Sequence, residues 1–262
     1  MIRLGAIIVG GTLIAALAGP WLSPYDPSAQ QLPLRLEGPS WAHPFGLDEL
    51  GRDVLTRVMV GARISLLVGL SVVAVSAIVG LAIGAVAGYF GGWIDEAASR
   101  LIDLLMAFPG ILLAIALVAM LGPRLDRVIL ALVVIGWVGY ARLTRAIVLR
   151  TREREYVQAA RAAGARDARV IVRHVLPEAM PALTVQATLG MAAAIIAEAS
   201  LSFLGLGVQP PTPSWGTMLD AGRGHLLDAP HLTVFPGVAI ASLVLGLNFL
   251  GDGLRDALDP RG

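Results

Sequence analysis

Six stretches of this chain carry no charged residue over about the length needed to cross a bilayer: 4–25, 64–94, 104–123, 179–197, 199–219 and 229–251. A helix rises about 1.5 Å per residue, so about 20 apolar residues span the ~30 Å hydrocarbon core. Within hydrocarbon every backbone donor and acceptor has to be paired inside the segment, and a helix does that. The fold class that follows is an all-α membrane protein with six transmembrane helices. Composition agrees. Charged residues are 15% of the chain, against about 25% in soluble domains, and mean hydropathy is +0.74.

Two residue types are missing. Cysteine is absent, which excludes disulfides, thiolate metal sites and a cysteine nucleophile. Lysine is absent too, so all 20 basic residues are Arg. A phosphate-binding P-loop needs Gly-Lys-Ser/Thr, so this chain holds no nucleotide in that way. The four His (43, 174, 225 and 231) are dispersed and make no metal-ligand spacing. No strand-turn-helix nucleophile elbow is present, and an enzyme reading is not supported.

The spans are placed at about 4–22, 63–89, 99–122, 128–149, 180–204 and 231–251. Pro20, Trp21 and Pro24 close the first, which is read as retained; removal as a signal segment is the alternative. Residues 1–60 are taken as this span plus an extracytoplasmic segment ending in an interfacial helix, where Val54, Leu55, Val58 and Met59 recur at helical spacing. Residues 61–262 form the core with five spans. Gly80, Gly84 and Gly88 make a smooth stripe for close helix approach. Pro109 is expected to kink the third span and Pro236 to interrupt the sixth. Arg142 and Arg145 end the fourth span with stems long enough to snorkel to the interface.

One segment, 152–178, cannot lie in hydrocarbon: it is Arg-studded, Ala-rich, divided by Gly164 and expected to stop at Pro177. It is a water-side helical elbow. Putting it with both termini and the 90–100 turn gathers thirteen Arg, including Arg261, against seven opposite. The positive-inside tendency then sets elbow and termini in the cytoplasm.

Glu198 is the sharpest polar residue within a span; a charge at mid-bilayer costs about 2.5–3.5 kcal/mol, so it should face a cavity or a partner helix. Met106, Gln186, Met191, Glu198, Ser202 and Asn248 are the candidates for lining a pathway, as polar or soft groups on the third, fifth and sixth spans. The loop near Pro210, Pro211, Pro213 and Trp215 is the candidate contact on the opposite face.

The elbow sequence "QAARAAGARDARVIVRHVLP" resembles the cytoplasmic loop of bacterial binding-protein-dependent ABC importers: Glu-Ala-Ala, three residues, Gly, nine residues, Ile, one residue, Leu-Pro. The matching positions are Gln158, Ala159, Ala160, Gly164, His174, Leu176 and Pro177, with Gln158 in place of Glu and His174 in place of Ile. "GRDVLTRVMVGARISL", "AEASLSFLGLGVQPPTPSWGTML" and "LGDGLRDALDPR" are similar to the dipeptide/oligopeptide/nickel permeases, specifically the second permease subunit.

The resemblance implies the type I importer permease fold and an ATP-driven importer of di- or oligopeptides, with nickel, glutathione or haem as alternatives. A stand-alone channel or ion-coupled transporter is the rival. Implied partners are a second permease subunit in a heterodimer, two ATP-binding subunits and an extracytoplasmic solute-binding protein in a bacterial inner membrane. Peptide and lipid are the other contacts, with no nucleic acid. No cofactor is implied on this chain; ATP and Mg belong to the partner subunits. Tyr156, Gln158, Ala159, Ala160, Arg161, Ala163, Gly164, His174, Leu176 and Pro177 would carry the ATPase contact.

Overall fold

The computed structural model describes residues 1–258, apart from the side chain of Pro20. Arg261 in the charge count and the end of the 250–261 motif therefore lie outside the described residues, while the first helix runs through Pro20 and ends at Leu22. Helices α1 (Ile2–Leu22), α2 (Val54–Phe90), α5 (Leu125–Thr151), α8 (Leu176–Phe203) and α10 (His231–Leu258) are the long members. Among the described residues, five helical rods are long and apolar enough to cross a membrane, or six if one bent pair counts as a span.

That bent pair corrects the expected third span. α3 (Gly92–Met106) and α4 (Gly110–Leu121) meet at 84°. Pro109 has no N–H and its ring excludes the carbonyl four residues back, so the helix ends near Ala107 and restarts beyond the proline. The result is a break, not a kink. Met106 therefore ends one helix instead of sitting inside a span.

Nor is there a separate interfacial helix before the second span. α2 runs unbroken for 37 residues, about 55 Å, from one end of the molecule to the other. Asp53 starts it: one carboxylate oxygen accepts from the Thr56 N–H at 2.7 Å and the Thr56 hydroxyl at 2.6 Å, while the other meets His43 Nδ1 at 2.9 Å. The preceding segment is a built cap. Asp48 binds Arg52 at 2.6 Å and lies 3.4 Å from Arg57, and Leu47 offers its carbonyl to His231 at the start of α10.

Two further prolines act differently from expectation. Pro177 does not stop the elbow. The chain passes from α7 (Asp167–Val170) through a π turn (Ile171–Val175) into α8, with the Leu176 N–H bonded five residues back to Ile171. Pro177 falls in the first positions of α8, where a missing N–H costs least, and the wider turn precedes it. Pro236 likewise lies inside α10 without breaking it, one turn from the start.

α8 lies in the middle, against α2, α5, α10 and the short α9 (Trp215–Gly222), and α1 packs on α10 and α2. The glycine stripe behaves as expected. A Cβ on Gly84 would overlap the Ala141 carbonyl, and one on Gly80 would lie 2.6 Å from the Trp137 carbonyl, so α2 and α5 approach backbone to backbone.

Candidate functional site

Local sequence shapes the elbow. α6 (Glu155–Ala162) is followed by Ala163 and then Gly164, at φ +80°. The Gly164 N–H bonds the Arg161 carbonyl at 2.9 Å and the Ala165 N–H bonds the Ala160 carbonyl at 3.1 Å, a Schellman closure. Its left-handed residue favours glycine, because a Cβ there crowds the backbone. Beyond the turn, Asp167 opens α7.

Burial separates two faces. Val157, Val170 and Val175 are buried together with Ala85 and Tyr89 of α2 and Val148 of α5. Tyr156, Gln158, Ala159, Ala163, Gly164 and Pro177 are exposed, while Ala160, His174 and Leu176 are half-buried. The elbow is thus an anchored ledge with a low-relief Ala/Gly outer face. Arg161 is exposed but committed inward: its guanidinium stands 4.6 Å over the Tyr89 ring and its Nε donates to the Tyr89 hydroxyl at 3.2 Å. Arg145, expected to snorkel, instead binds both carboxylate oxygens of Asp95 on α3.

Sequence reasoning missed Tyr89, which sits at the end of an apolar span and carries no periodic signal of its own. The same holds for Arg152, whose guanidinium donates to the carbonyls of Gly88 and Tyr89 at 2.9 and 3.3 Å.

The six pathway candidates do not come together. Glu198 and Ser202 are completely buried and bonded to each other at 2.7 Å, with Ser65 and Ser214 flanking the carboxylate. Of the two expected settings, a cavity or a partner helix, Glu198 takes the second: it lies at a junction of α2, α8 and α9. Met191 packs into the core near Gly69. Asn248 is half-buried on α10. Gln186 does reach open space, a cavity of about 310 Å³ between α2, α4, α5 and α8 that also carries Ser76, Tyr140 and Gly190. Met106 is exposed beside Arg142, at the α3–α4 bend.

Of the loop candidates at the end away from the elbow, Pro210 and Pro211 are exposed and Pro213 and Trp215 are buried. Trp215 is a core residue, contrary to the expected surface contact. Pro210 edges a polar cavity of about 370 Å³, together with Asp48, Arg52, Arg57, Gln209 and Asp220; Ser202 backs it.

A membrane bundle with an anchored, basic, Ala/Gly-faced ledge is the arrangement that comparison with known proteins has to explain. Residues 80–261 match the family model described as binding-protein-dependent transport system inner membrane component. The chain belongs to that family. It is 45% identical to the dipeptide transport system permease protein DppC of Alkalihalophilus pseudofirmus, over 98% of this chain and 84% of that one. It is 47% identical to the di/tripeptide transport system permease protein DppC of Pseudomonas aeruginosa, over 95% and 84%. It is 45% identical to the glutathione transport system permease protein GsiD of Escherichia coli, over 100% and 86%.

Among solved structures, the inward-facing MetNI methionine ABC transporter superposes with TM-score 0.58 at 22% identity, covering 75% of this chain and 94% of that one. An amino acid ABC transporter with histidines gives 0.59 at 15%, covering 77% and 94%. The fold is therefore that of an ABC importer permease. This binding-protein-dependent permease is a multi-pass inner-membrane component of an ABC importer, and its family lacks ATPase motifs.

Proposed function

We propose that this permease forms half of the translocation pathway of an ATP-driven importer of di- and oligopeptides. Its elbow is gripped by one of two ATP-binding subunits. Relatives at 45–47% identity are named for dipeptides and di/tripeptides, which supports a peptide cargo. Glutathione, itself a tripeptide, is the second reading, because a relative named for it is 45% identical over the whole chain.

The observation that carries the coupling role is the two-faced elbow. Its underside is fixed to α2 and α5, and its outer face of Gln158, Ala159, Ala163 and Gly164 is smooth enough to enter a groove. A second permease in a heterodimer supplies the other half of the pathway, and the 310 Å³ cavity beside Gln186 faces it. Both termini and the elbow lie in the cytoplasm. At the far end a solute-binding protein docks over Pro210 and Pro211. ATP and Mg are held by the partner subunits. Their closure moves the elbow, and alternating access follows because nucleotide favours one orientation by differential contacts.

The chain has no cysteine, so single cysteines at positions 160 and 163, both just ahead of the positive-φ Gly164, are clean probes. They should cross-link to the ATPase subunit in the assembled complex. Proteoliposome uptake of dialanine should require the ATPase subunits, ATP and the binding protein. Uptake driven by an ion gradient without them would overturn the reading.

A further inference from the structure

The elbow touches the rest of the chain through a largely apolar underside, which fixes distance but not rotation. Arg152 ties the start of the elbow to the Gly88 and Tyr89 carbonyls, and one side-chain hydroxyl ties the two arms beyond it. Tyr89 is the penultimate residue of α2, 6% exposed, with its ring among Ala85, Val148, Val157 and Val170. Its hydroxyl donates to Asp167 Oδ1 at 2.7 Å and accepts from Arg161 Nε at 3.2 Å. Arg161 closes the first arm of the elbow and Asp167 opens the second, on either side of the Gly164 turn. The Arg161 guanidinium also lies 4.6 Å from the ring centre, so the same side chain holds it by its face and by its edge.

This rests on the coupling role proposed above. We propose that Tyr89 is a positioning residue for coupling: it locks both arms of the elbow to the end of α2, so that force on the elbow turns α2 as one body. The reason for choosing α2 is its continuity. The helix that ends under the elbow begins at the Asp53 cap and on the way packs along α5, α8 and the Trp215 junction. Without the hydroxyl, Arg161 and Asp167 lose their shared partner. The arms then stay docked through the valines and through Arg152, but lose the polar tie that spans the Gly164 turn. Hydrogen bonds that involve a charged group are the stronger ones, so the loss weakens the link enough to separate motor from pore.

Tyr89→Phe tests this, since it keeps the ring, the packing and the stacking of Arg161. The full complex is assembled in proteoliposomes, with dialanine as probe, and three quantities are read: ATPase co-purification, ATP hydrolysis and dialanine uptake per ATP. The expected result is normal co-purification and hydrolysis, with uptake per ATP down about tenfold, the factor set by losing a charge-assisted bond. Asp167→Asn should lower the same ratio, and the double variant should be no worse than the worse single one. Unchanged uptake per ATP in Tyr89→Phe would overturn the inference. So would loss of co-purification, because a group beneath the elbow is not itself gripped. If the wild-type chain fails to retain the ATPase subunits, the coupling reading itself fails, and independently of Tyr89.

Discussion

The Trp215 indole N–H donates at 2.9 Å to the carbonyl of Val58, joining α9 to α2 across 157 positions of sequence. The contact needs Gly61, where a Cβ would lie 2.9 Å from the indole. Trp215 is 1% exposed and sits among residues of α2, α8 and α10. The short helix it opens is fixed by a capping box between Ser214 and Thr217.

Trp215→Ala should therefore act on stability. Removing a buried Trp leaves a cavity and costs about 3–5 kcal/mol. The thermal midpoint in detergent should fall sharply, and Gly61→Leu should fall with it because the indole has nowhere to go. A Trp215→Ala chain of unchanged midpoint would show that the junction is not part of the core.

The α2–α5 seam gives a second expectation. A Cβ at Gly84 would overlap the Ala141 carbonyl and stand 2.8 Å from Thr144 Cβ, both on α5. Backbone cannot give way as a flexible side chain can. Gly84→Leu should force the helices apart at about 1–3 kcal/mol or more, whereas a Cβ at Gly92 meets nothing within 4 Å, so Gly92→Ala suffers only its positive φ. Thermal denaturation of the two variants side by side checks the contrast.

What the sequence revealed and what it hid divide along physical lines. The long apolar spans, the glycine seam and the Gly164 turn are local or periodic, and charge-free runs and left-handed glycines announce themselves, whereas the broken third span does not. Prolines were misread in both directions. Pro109 breaks a helix outright, Pro177 sits at the start of α8 after a π turn, where its missing N–H is tolerated, and Pro236 lies in the interior of α10 without ending it. Residue type sets Glu198 against a cavity or a partner helix and puts Trp215 in a contact loop, without saying which neighbours bury them. Their burial depends on contacts with α2, far away in the chain, which no local pattern encodes. Tyr89 was missed for the same reason: its partners are Arg161 and Asp167, more than seventy positions on.

Gly164 makes a prediction about backbone alone. Nothing lies within 4 Å of a Cβ there, yet φ is +80°. A β-branched residue pays at least the roughly 1–2 kcal/mol left-handed penalty, and Asn pays less. Gly164→Val should open the Schellman turn, increase protease cleavage within 160–168 and weaken ATPase co-purification. Gly164→Asn should leave both near wild type. Equal behaviour of the two would mean that the turn does not need its left-handed residue.

Glu198 offers the test with the clearest alternatives. Its Oε1 accepts from Ser202 at 2.7 Å, while its Oε2 and the nearby Ser65 hydroxyl have no hydrogen-bond partner. Both groups are fully buried. Glu198→Ala removes the acceptor from Ser202, and stranding a buried hydroxyl costs about 1–3 kcal/mol. Glu198→Gln keeps an acceptor for Ser202 and brings a donor toward Ser65, so its midpoint should equal or exceed that of the parent. Uptake per assembled complex should be unchanged in both, because no part of Glu198 is open to a passing solute in this structure. A fall in uptake with Gln at unaltered stability would return Glu198 to the translocation pathway.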